Sequence, residues 1–449
     1  MNLKNFVSKL ILNYLRIISK LQLKKVNPLI IGITGSAGKT SLMYAIGAVL
    51  SSKYKVKLSE KANSESGIPA NILNLKFDDY SAFNWLRVCI LAPVKLLTDW
   101  EKHDIYVAEM GIDSPDEPKN MSYLLKIVKP NIAVFLNVSA THSERFDKLV
   151  DENITGEQRL TEVVNEIADE KGKIITELGK DGIGIVFADE EPVYRQSLRT
   201  EAKVMTFGSK NNPDLEFTDY EVSELGTRFK FHYNQNDYEF KKSSLILPKH
   251  YGDTFAAALL VGIACKIPIE DGLENLERTF SLPLGRSTII KGKKGSTIID
   301  SSYNASYEPT KDMVNLTSMI EAKRRIFVFG DMRELGNEER LLHEKIAKEA
   351  SSVFNLFVTV GPLTKKYFAP KLAELGVQKN NIKTFDKAGD AGKYLSETVE
   401  EGDLILVKGS QNTIFLEIVI EELMVDKAKA EKILCRRGEF WEKKRTEYV

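Results

Sequence analysis

Apolar residues in the first 27 positions recur at helical spacing: Leu3, Phe6, Val7, Leu10, Ile11, Tyr14, Ile17, Ile18 and Leu21, with Lys4, Lys9, Arg16, Lys20 and Lys24 between them. This pattern predicts a basic amphipathic helix. The period then changes. Leu29-Ile30-Ile31 is a continuous apolar run that leads into glycines, and a helical pattern resumes at Leu42. Ile105–Glu109, Ile132–Leu136 and Ile183–Phe187 read as buried parallel strands separated by helical stretches, the alternation of a doubly wound sheet. Short alternating segments at Thr218–Val222, Arg228–Tyr233 and Asp237–Phe240 predict a small antiparallel meander, and helices return at 252–266 and 270–280. After Pro283-Leu284-Gly285-Arg286 a second αβ series begins, with strands at Thr297–Asp300, Arg325–Phe329, Leu356–Val360 and Leu404–Val407. The expected architecture is α/β. Residues 1–27 form the helix, 28–284 a central doubly wound P-loop domain and 285–449 a C-terminal Rossmann-like domain.

Composition narrows the function. Lys plus Arg and Asp plus Glu each total 63, so no overall basic field points to nucleic acid. Cys89, Cys265 and Cys435 are far apart, which argues against a disulfide framework or a thiolate metal site and fits a reducing cytoplasm. Charge is uneven, however: Glu60 is the first acid in the chain. Arg16 interrupts the apolar stretch and no small-residue cleavage site follows, so residues 1–27 do not read as a signal peptide, and they are too charged to span a bilayer. They either pack on the body of the protein or lie on an anionic membrane surface at the inner face; a targeting peptide is a third reading. A second apolar stretch, Trp85 to Trp100, is interrupted by Pro93. It reads as an amphipathic companion or as a substrate-side insertion.

The chemistry starts at Gly32-Ile33-Thr34-Gly35-Ser36-Ala37-Gly38-Lys39-Thr40-Ser41. A strand, a glycine-rich turn ending in Gly-Lys-Thr and a helix make a phosphate site: backbone N–H groups surround the phosphates, the lysine neutralises them and the threonine hydroxyl reaches Mg²⁺. The strict pattern wants glycine at 33, where Ile33 stands, so the loop is a variant. Doubly wound sheets bind ligands at the C-terminal ends of their strands. Glu109 ends one strand, and Asn137 and His142 follow the next, so carboxylate and imidazole are placed to hold Mg²⁺ beside the loop. Taken singly, Glu109 reads equally as a loop acid and His142 as a surface histidine. Asp300-Ser301-Ser302-Tyr303-Asn304 and Gly330-Asp331-Met332 also end strands and singly read as turns.

Together these motifs resemble the Mur ligase family. Its phosphate loop usually reads T-G-[TS]-x-G-K-T. Glu109-Met110-Gly111, Asn137 with His142, Asp300 with Tyr303-Asn304-Ala305, Gly330-Asp331-Met332 with Glu334-Leu335-Gly336, and Val407-Lys408-Gly409-Ser410 recur in the family's order over roughly residues 28–449. The set is most similar to the branch that joins D-alanyl-D-alanine to UDP-N-acetylmuramoyl-tripeptide in peptidoglycan precursor synthesis. The resemblance implies an ATP-dependent ligase that activates a carboxylate as acyl phosphate and couples it to an amine, with a small-molecule cell-wall precursor and an amino acid or dipeptide as partners. It implies that Gly35, Ser36, Ala37, Gly38, Lys39, Thr40 and Ser41 hold ATP. Thr40 and Glu109 would bind one Mg²⁺, and His142 would serve a second. A carbamylated lysine is matched by Lys171, with Lys173 or no carbamate as alternatives. Arg286, Asp300, Tyr303 and Asn304 match positions that close over ATP, and Asn63 to Pro69 resembles a substrate-side loop.

Departures are also visible. That branch usually begins with a domain gripping the UDP end of the acceptor. Here 28 residues precede the first strand, so UDP recognition is expected to be reduced or rebuilt from residues 1–27 and 80–104. His250-Tyr251-Gly252-Asp253-Thr254 lacks both asparagines of the family's H-N-x-x-N, Ser301 stands where a second aspartate is common, and Ser306-Tyr307 replace Asn-Pro. Three other readings stay open: a related ligase for another acid and amine, as in the folylpolyglutamate and cyanophycin enzymes; a P-loop phosphotransferase or NTPase; and a membrane-bound scaffold without catalysis.

Overall fold

The computed structural model describes residues 3–449 except 77–80, 140–144, 224–225, 244, 334, 336–338, 410–413 and 446–449. The chain divides into two compact units. The first comprises Met1–Asp219, Phe229–Phe240 and His250–Phe280; the second comprises Tyr220–Arg228, Lys241–Lys249 and Ser281–Val449.

The first unit opens with helix α1 (Leu3–Val26) and is built on strands β1 (Leu29–Thr34), β2 (Val56–Leu58), β3 (Ile105–Glu109), β4 (Ile132–Phe135), β5 (Ile183–Phe187) and β6 (Lys203–Gly208). These pair in parallel in the order β2-β3-β1-β4-β5-β6. The apolar runs of β3 and β4 are buried at every position, as strands covered by helices on both faces require. Strands β7 (Leu215–Ser223), β8 (Gly226–Tyr233) and β9 (Asn236–Lys242) continue the sheet order to its edge, longer than their sequence pattern suggests.

Helices α2 (Lys39–Leu50), α3 (Gly67–Ile72), α4 (Ala82–Thr98), α5 (Met121–Ile127), α6 (Gly156–Thr176), α7 (Glu191–Ser197), α8 (Tyr251–Ala264) and α9 (Ile269–Thr279) complete this unit. Tyr106, Phe135 and Ile174 lie in one core cluster with Leu12 of α1. A second cluster joins Leu15 and Ile18 of α1 to Ala70 and Leu73 around α3 and to Val88 and Ala92 of α4. So α1 does pack an apolar stripe on the body of the protein. The residues from Trp85 to Thr98 form one continuous helical stretch through Pro93, where the sequence suggests a break. Proline supplies no N–H to the carbonyl four residues back, which is that of Cys89. The Tyr14 hydroxyl donates to that oxygen instead, at 2.9 Å.

The second unit carries β10 (Thr288–Lys291), β11 (Thr297–Ser301), β12 (Arg324–Gly330), β13 (Leu356–Val360), β14 (Ile382–Phe385) and β15 (Asp403–Lys408), in the order β10-β11-β15-β12-β13-β14. All pairs are parallel except β10 with β11. Helices include α10 (Tyr307–Met319) and α11 (Glu339–Ser351), and they bury Val314 and Ile346 against Phe327 and Phe329 of β12.

Candidate active site

Strand β1 ends at Thr34 between the ends of β3 and β4, because it pairs with both. That register brings Glu109, Asn137 and the loop 35–39 to one edge of the sheet. Gly32 belongs to the strand rather than the loop: a Cβ there would come within 2.6 Å of Pro130 and 3.0 Å of Ile174, so the packing of the Pro130 loop and α6 against β1 requires glycine. Gly38 has a different reason. It holds the N-cap of α2 at φ 78°, a left-handed conformation, without a side-chain cap. The first N–H groups of a helix lack partners within it, and here they begin at the Gly-Lys-Thr turn, a ready site for an anion.

The two N–H groups before that turn are already engaged. Asn137 Oδ1 accepts from Ser36 N at 3.0 Å and from Ala37 N at 2.9 Å, and the Asn137 carbonyl also accepts from Ser36 N. Asn137 Nδ2 donates to the Ala37 carbonyl. The Asn137 side chain thus spans the loop, a function its sequence position did not disclose. Ser41, the next residue of the helix after Thr40, turns its side chain away from the loop. Its hydroxyl is buried and lies 3.1 Å from Tyr251 Oη of α8, the residue that stands at the first asparagine of the family's motif.

Thr40 and Glu109 do meet. The Thr40 hydroxyl donates to Glu109 Oε2 at 2.8 Å, and Asn63 Nδ2 approaches Oε1 at 3.4 Å. Ser59 Oγ fixes the strand end by accepting from Glu109 N at 2.7 Å. Asn63 also accepts Gly111 N, so the Asn63–Pro69 loop starts against this carboxylate. Hard oxygen donors of this kind suit Mg²⁺, which takes few protein ligands and keeps water and phosphate oxygens for the rest. His142 lies outside the described residues. Among the described residues no group of three or more His, Cys, Asp and Glu side chains is arranged as a metal site.

Two lysines converge on one carbonyl. Lys39 Nζ donates to Gly35 O at 2.8 Å, and Lys171 Nζ, 136 positions away on α6, reaches the same oxygen at 3.2 Å. Burial lowers the pKa of Lys39, with Glu109 and Asp113 acting in opposition. Lys171 is only 3% exposed. Burial, reinforced by the charge of Lys39, brings its pKa down to about 7. Lys173, two positions further along the helix, turns outward and pairs with Glu170 at 2.5 Å.

Within the second unit, Arg286, Asp300, Tyr303 and Asn304 cluster at the end of β11. Tyr303 N donates to Gly285 O at 3.1 Å, and the Arg286 guanidinium lies 5.2 Å from the centre of the Tyr303 ring. Asp300 is fully buried, which raises its pKa, while Ser302, whose N–H it accepts at 2.9 Å, acts in the other direction. Lys408 donates to the Asn304 carbonyl, and its pKa falls to about 7 because it is buried and faces Arg286. Arg436 is a residue the sequence reading missed. It donates to the Ser302 and Tyr303 carbonyls at 3.2 and 2.8 Å and pairs with the buried Glu417 at 3.2 Å.

Comparison with known proteins places the chain in a family. Residues 33–262 match the Mur ligase middle domain, and residues 285–411 match the Mur ligase glutamate ligase domain. The UDP-N-acetylmuramoyl-tripeptide–D-alanyl-D-alanine ligase of Bacillus subtilis is 27% identical over 414 residues, 91% of this chain and 79% of that protein. Among solved structures, MurF ligase from Thermotoga maritima in complex with ADP aligns with a TM-score of 0.69 at 22% identity, over 93% of this chain and 84% of that one. MurF from Acinetobacter baumannii aligns with a TM-score of 0.70 at 20% identity, over 93% and 81%. With both of its αβ regions matched, the chain belongs to the Mur ligase family of ATP-dependent ligases that form amide bonds.

Proposed function

We propose that the protein joins the amine of D-alanyl-D-alanine to the terminal carboxylate of UDP-N-acetylmuramoyl-tripeptide, a step in peptidoglycan precursor synthesis. The observation that carries the reaction type is the meeting of Thr40 and Glu109 at 2.8 Å beside the Lys39 phosphate loop. The likeness to ligases of that specificity over 91% of the chain supports the substrates.

ATP brings its phosphates to a carboxylate, so two anions must be held together against their repulsion. Lys39 supplies one offsetting charge, and the open N–H groups at the start of α2 supply donors aimed at the phosphates. Thr40 and Glu109 would hold one Mg²⁺, and His142 would serve a second; bound there, the metal neutralises phosphate oxygens as charge moves onto the leaving group. Lys171 is the candidate for carbamylation. A pKa near 7 leaves a large fraction of its amine neutral, and only a neutral amine takes up CO₂. The carbamate would put an anion where the structure has a cation. The outward pairing of Lys173 with Glu170 argues against that residue for the role. Arg286, Asp300, Tyr303 and Asn304, which cluster at the end of β11, would also contribute to holding the nucleotide.

We place the reaction in the cytoplasm, where ATP is supplied and the three free cysteines stay reduced. No helix among the described residues is long and apolar enough to cross a membrane. Purified protein should release ADP in a Mg²⁺-dependent manner only when UDP-N-acetylmuramoyl-tripeptide and D-alanyl-D-alanine are both present. Release with another acid and amine, and none with this pair, would remove the substrate assignment while leaving the ligase. Release without any acceptor would point to an NTPase.

A further inference from the structure

Helix α1 is apolar on two faces. Leu12, Leu15 and Ile18 are buried toward the body of the protein. Val7, Leu10, Tyr14, Ile17 and Leu21, spaced three and four residues apart, form a second stripe that faces solvent, with Ile17 57% exposed. Helix α4 repeats the design: Val88 and Ala92 are buried, while Phe83, Leu86, Ile90, Val94 and Leu97 are exposed, Phe83 to 75% and Leu97 to 72%.

The two helices are fixed together. Tyr14 meets the Cys89 carbonyl near the middle of both, and Lys25 Nζ meets the Leu96 and Asp99 carbonyls at 2.7 and 2.6 Å near their ends. They therefore run in the same direction. At about 100° of turn per residue, both outer stripes then face the same side of the pair. Trp100 lies at the end of this face, 69% exposed, with the Lys25 ammonium 3.8 Å from its ring centre.

Charge decides what such a face suits. No acid occurs before Glu60, and none lies between Asp79 and Asp99. Lys9, Lys20 and Lys24 are exposed along the flank of the α1 stripe, and Arg87 is exposed on α4. Asp99 and Glu101, the first acids after α4, are occupied by Asn74 and Lys55. A second copy of the chain would set this basic face against its like. An exposed apolar stripe flanked by lysines is the composition of a helix lying in the plane of a membrane interface, with its apolar side among acyl chains and its cations at anionic headgroups.

We propose that the paired outer faces of α1 and α4 dock the protein peripherally on an anionic lipid bilayer. The inference is independent of which acid and amine the ligase joins.

The test is co-sedimentation of the full chain with vesicles of phosphatidylglycerol and phosphatidylcholine in equal parts and with vesicles of phosphatidylcholine alone. Partitioning into the anionic vesicles should be at least about tenfold stronger, since each lysine near such a surface adds to the attraction, and should weaken with added salt. I17E/I90E should abolish binding, and K9Q/K20Q/K24Q should reduce it to near that of the neutral vesicles. Both variants should keep the lipid-free circular dichroism and thermal midpoint of the wild type. Equal partitioning into the two vesicle types, no partitioning into either, or full binding by I17E/I90E would overturn the proposal. A lipid-free dimer that I17E/I90E dissociates, without vesicle binding, would overturn it in favour of a second copy.

Discussion

The Tyr14 hydroxyl donates to the Cys89 carbonyl oxygen, the acceptor that Pro93 leaves without a helical donor. One side chain of α1 thus repairs a gap in the hydrogen bonding of α4. Tyr14→Phe should lower stability by about 1 kcal/mol, the usual net value of such a bond. Pro93→Ala restores an N–H for Cys89, so in that background Tyr14→Phe should cost much less. Denaturant midpoints of the four proteins give the coupling, and equal costs in both backgrounds would refute the account.

Thr40 and Glu109 should fail together as metal and phosphate ligands. Glu109→Gln keeps the shape and removes the charge, and it should lower substrate-dependent ADP release on the order of 100-fold, the scale of losing one electrostatic contact to a transition state. Thr40→Val should act in the same direction, and the double variant should fall little below the worse single one. Thermal melts should stay close to wild type, because both substitutions keep the side-chain shape and neither residue belongs to an apolar core cluster.

Lys171 and Lys173 should separate sharply. A fall in pKa from 10.5 to about 7 raises the neutral fraction of the amine at neutral pH by about a thousandfold. Lys171→Ala should abolish turnover, and millimolar formate or acetate should restore part of it by supplying the missing carboxylate. Lys173→Ala should keep turnover near wild type. Recovery by added carboxylate in neither variant would remove the carbamate role.

His343 ties the Gly330-Asp331-Met332 segment to α11. Its Nε2 accepts Met332 N at 3.1 Å, and its Nδ1 donates to Glu339 O at 2.7 Å, so the folded protein holds the neutral ring. Burial pushes the pKa below 6.5. The unfolded chain then takes up the proton first as pH falls. The stabilisation from His343 is complete above pH 6.5 and is lost as pH drops toward the folded-state value, at no more than about 1.4 kcal/mol per pH unit. His343→Gln can make both bonds without titrating. Unfolding measured from pH 7.5 to 5 should show wild type losing stability relative to the variant; parallel curves would rule the titration out.

Much of the fold was legible because buried parallel strands read as unbroken apolar runs, and Ile183–Phe187 and Leu356–Val360 have the same bounds in sequence and structure. Val56–Leu58 and Lys203–Gly208 were not legible: one is three residues long and the other mixes polar with apolar positions. Pro93 misled for a different reason, since its repair comes from Tyr14, 79 positions earlier in the chain. At the site, spacing brought Lys39, Thr40 and Glu109 to neighbouring strand ends, where they are found. The Ser41 hydroxyl went the other way because one step along α2 turns it about 100° from Thr40, toward Tyr251. His343 carried no signal, since its partners are backbone atoms that any residue type presents, and Arg436 carried none because it meets two backbone carbonyls and a glutamate, Glu417, set in no recognisable motif with it.

The Asn137 amide that spans the phosphate loop has a consequence for how nucleotide is received. Ser36 and Ala37 N–H are bonded to a side chain of the protein itself, so they should exchange slowly with deuterium before any nucleotide is added. Binding then orders little of the loop, and the entropy of fixing those residues is lost during folding rather than at each catalytic cycle. Asn137→Ala should turn the loop into a fast-exchanging segment that nucleotide protects, moving that cost from the birth of the protein to every turnover.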